Sequence, residues 1–370
     1  MSRSQSNIER PPSQKRIIWL DGVRTVAIAC VLLCHSIETV YEMTLDEWRD
    51  AGIISRAFRL CGFTVGRFGV PLFLFLTGYL MLGRHFANEK DVSSFYRKRL
   101  PPLLTSTLFW TAFTFVFLFL YNDEPPNWDA FWRQMTFLGK PSMSMLWYMP
   151  MIIGVYIAIP FLSTALERFS PRALILPMAV CYVTGFFLPL VNLLIKVDGG
   201  DTALVGTTLH VGYLGGIYGF YMLLGYIMKQ LDLSAVRLRY VVLTLLAAFT
   251  LVCLFQNALW KDKYNYGLWY DLPLLPICCV CVFILINQMQ PLLQRNRIPD
   301  ILSSISRIAL AVFFIHRPVQ LLLWLAVENI PAKKPILAVI IFTASAIISY
   351  LLAVLLCKAK LIRKFILGCS

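Results

Sequence analysis

Arg24 and His35 stand eleven residues apart in the apolar run DGVRTVAIACVLLCHS. At about 100° per residue that step is three helical turns plus roughly 20°, so both side chains fall on one helix face, about 16 Å apart along the axis. A cation and an imidazole inside a membrane helix are costly and default to a functional reading. An anion-binding group near one surface and a nitrogen base deeper in suit a long ligand with a phosphate tail and a reactive head. Coenzyme A thioesters have that shape.

Other polar side chains interrupt the apolar runs. Asp21 precedes Arg24 by three residues on the same face; it either caps the helix start while Arg24 snorkels to the headgroups, or shares the site with it. Arg67 sits deep in VGRFGVPLFLFLTGYLML, two turns after Arg59, and needs a partner or water. Pro71 and Gly78 in that run predict a kinked helix whose freed carbonyl faces a cavity. A later run holds Arg307 and, nine residues on, His316-Arg317-Pro318. Nine residues make about 900°, so Arg307 and His316 face opposite ways on an unbroken helix. The basic run Arg97-Lys98-Arg99 is either a grip for nucleotide phosphates or a surface anchor. Trp147-Tyr148 reads first as an aromatic belt at the outer surface, and His85 and His210 read as structural.

The elements that must position these residues are transmembrane helices. The chain is 58% hydrophobic and only 15% charged, with mean hydropathy +0.68, which excludes an ordinary soluble domain. Apolar runs long enough to cross about 30 Å of hydrocarbon recur near 17–38, 58–83, 100–121, 143–163, 173–195, 212–229, 239–260, 269–289, 303–325 and 335–357. They predict an all-α integral membrane protein, a bundle of about ten transmembrane helices, because backbone groups in lipid must bond internally. Lys and Arg concentrate in the N-terminal tail, the even-numbered loops and the C-terminal tail, so both termini read as cytoplasmic.

The formal net charge of +14 is then a topology signal. No basic stripe with stacking aromatics lies outside the spans, so nucleic acid is not an expected partner. Residues 1–16 read as a disordered cytoplasmic tail, 17–357 as one transmembrane domain and 358–370 as a basic cytoplasmic tail. Most of the ten cysteines sit in apolar runs as small hydrophobes, and Cys278-Cys279-x-Cys281 lacks zinc spacing, so no metal is expected.

Four stretches, in order over nearly the whole chain, resemble the acyltransferase 3 family of bacterial multi-pass membrane acyltransferases. They are WLDGVRTVAIACVLLCHS, GRFGVPLFLFLTGYL (with Thr77 where a serine is common), LWYMPMIIGVYIAIP and ISRIALAVFFIHRPV. The resemblance is nearest to O-acetyltransferases of surface polysaccharides. It implies acetyl-CoA as cytoplasmic acyl donor and a glycan or lipid-linked glycan hydroxyl as acceptor. It also implies a catalytic role for His35 and a donor-site role for Arg24. On that basis Arg67 is expected at the developing oxyanion, and Arg97, Lys98 and Arg99 at the donor's phosphates. Trp147, Tyr148 and His316 are expected at the acceptor. A secondary transporter of a glycan or small anion is the alternative, but the paired broken helices of such folds are missing from the sequence.

Overall fold

The computed structural model describes residues 16–122, 125–197, 205–207, 212, 215–261 and 267–368. The expected disorder of the N-terminal tail, and the residues Asp123, Glu124, His210 and Cys369, lie outside them. Among the described residues the chain is helical throughout, with no strand. In chain order the helices are α1 (Ile18–Val40), α2 (Leu45–Asp50), α3 (Ile53–Gly66), α4 (Gly69–Met81) and α5 (Glu89–Asn122). Next come α6 (Trp128–Met135), α7 (Tyr148–Arg168), α8 (Ile175–Tyr182), α9 (Leu188–Val197) and α10 (Gly216–Lys229). The rest are α11 (Leu238–Lys261), α12 (Leu274–Gln288), α13 (Gln290–Leu293), α14 (Ile298–Val327) and α15 (Lys334–Leu356).

Every apolar run of the sequence falls on one of these helices or on a consecutive pair. Among the described residues eight stretches are long and apolar enough to cross a membrane, fewer than the ten runs. The two shorter ones have local causes. α10 begins directly after Gly215 and at Gly216, whose φ values of 81° and 55° cannot continue a helix upstream. α12 begins after Pro273 and has 15 residues, about 22 Å of helix at 1.5 Å per residue. Large apolar side chains on the outer faces of α11 and α15, such as Leu243, Leu251 and Leu351, are more than half exposed. A surface of that kind belongs in lipid, and the chain is a multi-pass membrane protein.

α1 is the central helix. Trp19, Val23, Ala27, Val31 and Ile37 are buried on it, against α3, α4, α14 and α15. The expected kink in the second span is a break, and it lies earlier than Pro71. α3 ends at Gly66, Arg67 and Phe68 form a turn, and α4 starts at Gly69. Pro71 sits in the first turn of α4, where its missing N–H costs nothing. Gly78 has a different task. A Cβ there would stand 1.8 Å from the Met222 carbonyl oxygen, and one on Gly225 would stand 2.1 Å from that of Phe75. α4 and α10 therefore cross backbone against backbone. At the break itself, a Cβ on Gly66 would meet Cys34 Cβ at 2.7 Å. This close approach presses the turn carrying Arg67 onto α1.

Candidate active site

The N-terminal end of α1 is tied to α14 through one carboxylate. Asp21 is 4% exposed and accepts from Arg16 Nε at 2.5 Å, Arg16 Nη2 at 3.0 Å, Ser303 Oγ at 3.3 Å and Ser306 Oγ at 2.6 Å. Arg24 Nη1 donates to Ser306 Oγ at 2.7 Å and lies 3.7 Å from Asp21. Asp21 is thus no simple helix cap; it orients the guanidinium of Arg24. Asp21→Ala strands these donors, at about 1.5–3 kcal/mol for lost bonds to a charged group. The expected result is a lower Tm of the detergent-solubilised protein, and an unchanged Tm would show that the cluster adds nothing to the α1–α14 joint.

Beside this cluster opens a cavity of about 540 Å³. Arg16, Arg24, Arg99 and Arg307 line it, with Asp21 the one carboxylate in its wall. Four guanidinium groups against one carboxylate make a mouth for a multiply charged anion. Thr77, Tyr148, Tyr156 and Phe313 line it as well.

The second polar cluster lies further along the same face of α1. His35 Nδ1 is 2.6 Å from Glu38 Oε2, one turn on. A carboxylate only accepts, so Nδ1 carries a proton and, in the neutral ring, Nε2 keeps a lone pair. The other Glu38 oxygen is 3.5 Å from Arg67 Nη2. Arg67 is 7% exposed; its Nη1 is 3.4 Å from Tyr270 Oη, and its Nε has no partner among the described residues. The guanidinium also lies over the rings of Phe63, Trp269 and Tyr270 at 4.5, 5.0 and 5.4 Å. His316 faces His35 from α14, ring centroids 5.3 Å apart. Arg317 donates to the His35 carbonyl at 2.9 Å and to Thr39 Oγ1.

The expected residues therefore fall into two groups at different positions along α1. Arg24 and Arg99 meet at the cavity; Arg97 and Lys98 do not line it and are exposed. Arg307 joins the cavity while His316, on the other side of an unbroken α14, joins His35, as the angle between them requires. His35, Arg67 and His316 are together. The Trp147-Tyr148 pair, with ring centroids 6.3 Å apart, spans the two groups. Tyr148 lines the cavity and packs on Phe313 at 5.5 Å. Trp147 packs among Tyr218, Trp269 and Tyr270 at 5.3–5.6 Å, next to Arg67. Arg59 belongs to neither group: it lies against the stacked rings of Trp48 and Trp260, 3.6 Å from Glu47. Glu38, the serines that hold Asp21, and Arg16 were not among the expected site residues. For Glu38 the signal was present, since a carboxylate three residues after a histidine shares its face.

An all-helical membrane bundle with an anion-binding mouth at one end of a helix and an oriented imidazole near the other has the parts of a membrane-bound transferase. The family model described as an acyltransferase domain, of the acyltransferase 3 family, matches residues 17–357, and the chain belongs to that family. It is a membrane acyltransferase. No curated protein and no solved structure matches it.

Proposed function

We propose that this protein moves an acetyl group from acetyl-CoA, bound at the arginine-lined mouth on the cytoplasmic side, to a hydroxyl of a cell-surface glycan or its lipid-linked precursor. The membrane would be the inner membrane of a bacterium. The observation that carries this reading is the one face of α1, which holds Arg24 in the arginine-lined mouth at one end and, three turns further in, an imidazole whose Nδ1 is held by Glu38. The nucleotide phosphates bind Arg24, Arg99, Arg16 and Arg307. The pantetheine arm runs inward past Phe313, whose ring lines the cavity and lies 6.0 Å from that of His316. His35 Nε2 meets the thioester, as base or as acyl carrier. Glu38 holds its tautomer. Arg67, whose Nε has no partner among the described residues and whose Nη2 lies 3.5 Å from Glu38, stabilises the oxyanion. The aromatic cluster of Trp147, Tyr218, Trp269 and Tyr270 offers ring faces to a sugar.

The test is transfer of radiolabel from acetyl-CoA into the glycan fraction of membranes that contain the protein, with succinyl-CoA run in parallel. Arg24→Gln is expected to raise KM for the acyl-CoA about 10–100-fold, the equivalent of a lost charge-assisted bond, with a smaller change in kcat. No label from either donor, together with no acyl-CoA binding, would sink the reading.

A further inference from the structure

His316 has a feature that packing alone does not require. It is wholly buried, and its Nδ1 lies 2.6 Å from the Phe313 carbonyl oxygen, one turn back on α14. A carbonyl only accepts, so Nδ1 carries the ring proton and Nε2 holds a bare lone pair. That Nε2 has no hydrogen-bond partner among the described residues. Buried polar atoms left in this state are uncommon and call for a reason. The neighbouring ring is His35, fixed in the same tautomer by Glu38. The protein thus holds two imidazoles side by side, each with its Nδ1 proton committed to an acceptor and its Nε2 without a hydrogen-bond partner among the described residues.

We propose that the two histidines divide the reaction: His35 carries the acyl group, and His316 is the base that deprotonates the acceptor hydroxyl. This rests on the acyl-transfer reading given above. In the loading step the His35 Nε2 pair attacks the thioester carbonyl. A C–N bond forms, the C–S bond breaks, and the thiolate takes a proton from water at the mouth. The Nδ1 proton of the acylimidazolium stays on its bond to Glu38.

In the second step the acceptor oxygen forms a bond to the acyl carbon while its proton passes to His316 Nε2. The C–N bond breaks and its electron pair returns to His35 Nε2; His316 then releases the proton to water. His35 cannot serve as its own base in this step, because its Nε2 holds the acyl group. Glu38 cannot serve either. One of its oxygens accepts from His35, and the other is shared by the Cys34 thiol at 3.7 Å and Arg67 at 3.5 Å. His316 presents an unpaired Nε2 on a ring whose centroid is 5.3 Å from that of His35.

The two steps can be read separately in rapid-quench experiments with carbonyl-labelled acetyl-CoA on the full chain in detergent. Without acceptor, the wild type is expected to bind label covalently at His35 and to release a burst of free CoA. His316→Gln and His316→Asn are expected to load at the wild-type rate but to pass the label to a glycan acceptor about 100-fold or more slowly. The deficit should shrink for an acidic alcohol such as trifluoroethanol, which needs less help in losing its proton. A packing role would not produce that dependence on acceptor acidity.

Transfer at the wild-type rate by either variant overturns the proposal. So does a wild type that transfers label to acceptor with none ever bound to protein, and so does loss of loading in both variants while the wild type loads. A wild type that neither loads, transfers nor binds acyl-CoA is a different result, which removes the acyl-transfer reading itself.

Discussion

His35→Ala is expected to lower acyl transfer by about 10³–10⁴-fold or more while the protein remains folded. The imidazole is only 12% exposed, held by its own helix through Glu38 and faced by one ring from α14. Truncation therefore leaves a small void and no stranded charge pair, since Glu38 keeps Arg67. Glu38→Gln sharpens the test. The glutamine amide can donate to Nδ1, which moves the ring proton to Nε2 and removes the reactive pair. A wrong-tautomer lesion of this kind costs about 10⁴-fold in serine hydrolases, and a loss of about 10²–10⁴-fold is expected here. Transfer rates, set beside acyl-CoA binding and size-exclusion profiles, check both. Retention of full activity by His35→Ala would end the proposed chemistry.

Gly78→Ala and Gly225→Ala are expected to damage the fold instead of the chemistry. Each added Cβ meets a backbone carbonyl of the opposite helix, at 1.8 and 2.1 Å, and a carbonyl cannot rotate away as a side chain can. α4 and α10 would have to separate, so the cost should reach or exceed the about 1–3 kcal/mol typical of overpacked cores. The readout is the yield of monodisperse protein in detergent and its Tm. Gly154→Ala is the matched control, because nothing lies within 4 Å of its added Cβ. Equal yields for all three would mean that α4 and α10 do not cross as closely as described.

The helical runs were legible in the sequence because hydropathy over a span depends on composition alone. Arg24 and His35 were legible as one face because that depends only on spacing within a helix. The lengths of α10 and α12 were not, since they turn on positive φ at Gly215 and Gly216 and on the cap at Pro273. The break at Arg67 was misplaced toward Pro71 for a related reason: proline at the start of a helix and proline within one look alike until the start is known. Glu38 could have been found, since the i, i+3 rule already applied to Asp21 and Arg24. The contacts of Arg67 with Glu38 and Tyr270, and of Arg317 with the His35 carbonyl, depend on how three helices are set against one another. No spacing within a single run encodes that. The same holds for Trp147 and Tyr148, adjacent residues where a 3₁₀ turn meets α7, whose rings touch each other while one packs toward Trp269 and Tyr270 and the other toward Phe313.

One consequence follows from how α1 is fastened to α14. The two helices are pinned at three depths: Asp21 with Ser303 and Ser306, Gln320 with the Leu32 carbonyl and Ser36 at 2.9 and 2.8 Å, and Arg317 with the His35 carbonyl and Thr39. Sliding or tilting one helix against the other breaks all three sets at once. Proteins that carry cargo by alternating access rock one bundle against another, and this seam is built against such rocking. On the proposed reading, the travelling part is the slender pantetheine arm of the donor. The protein acts as a fixed rail, and the acyl group crosses by the flexing of the arm that bears it.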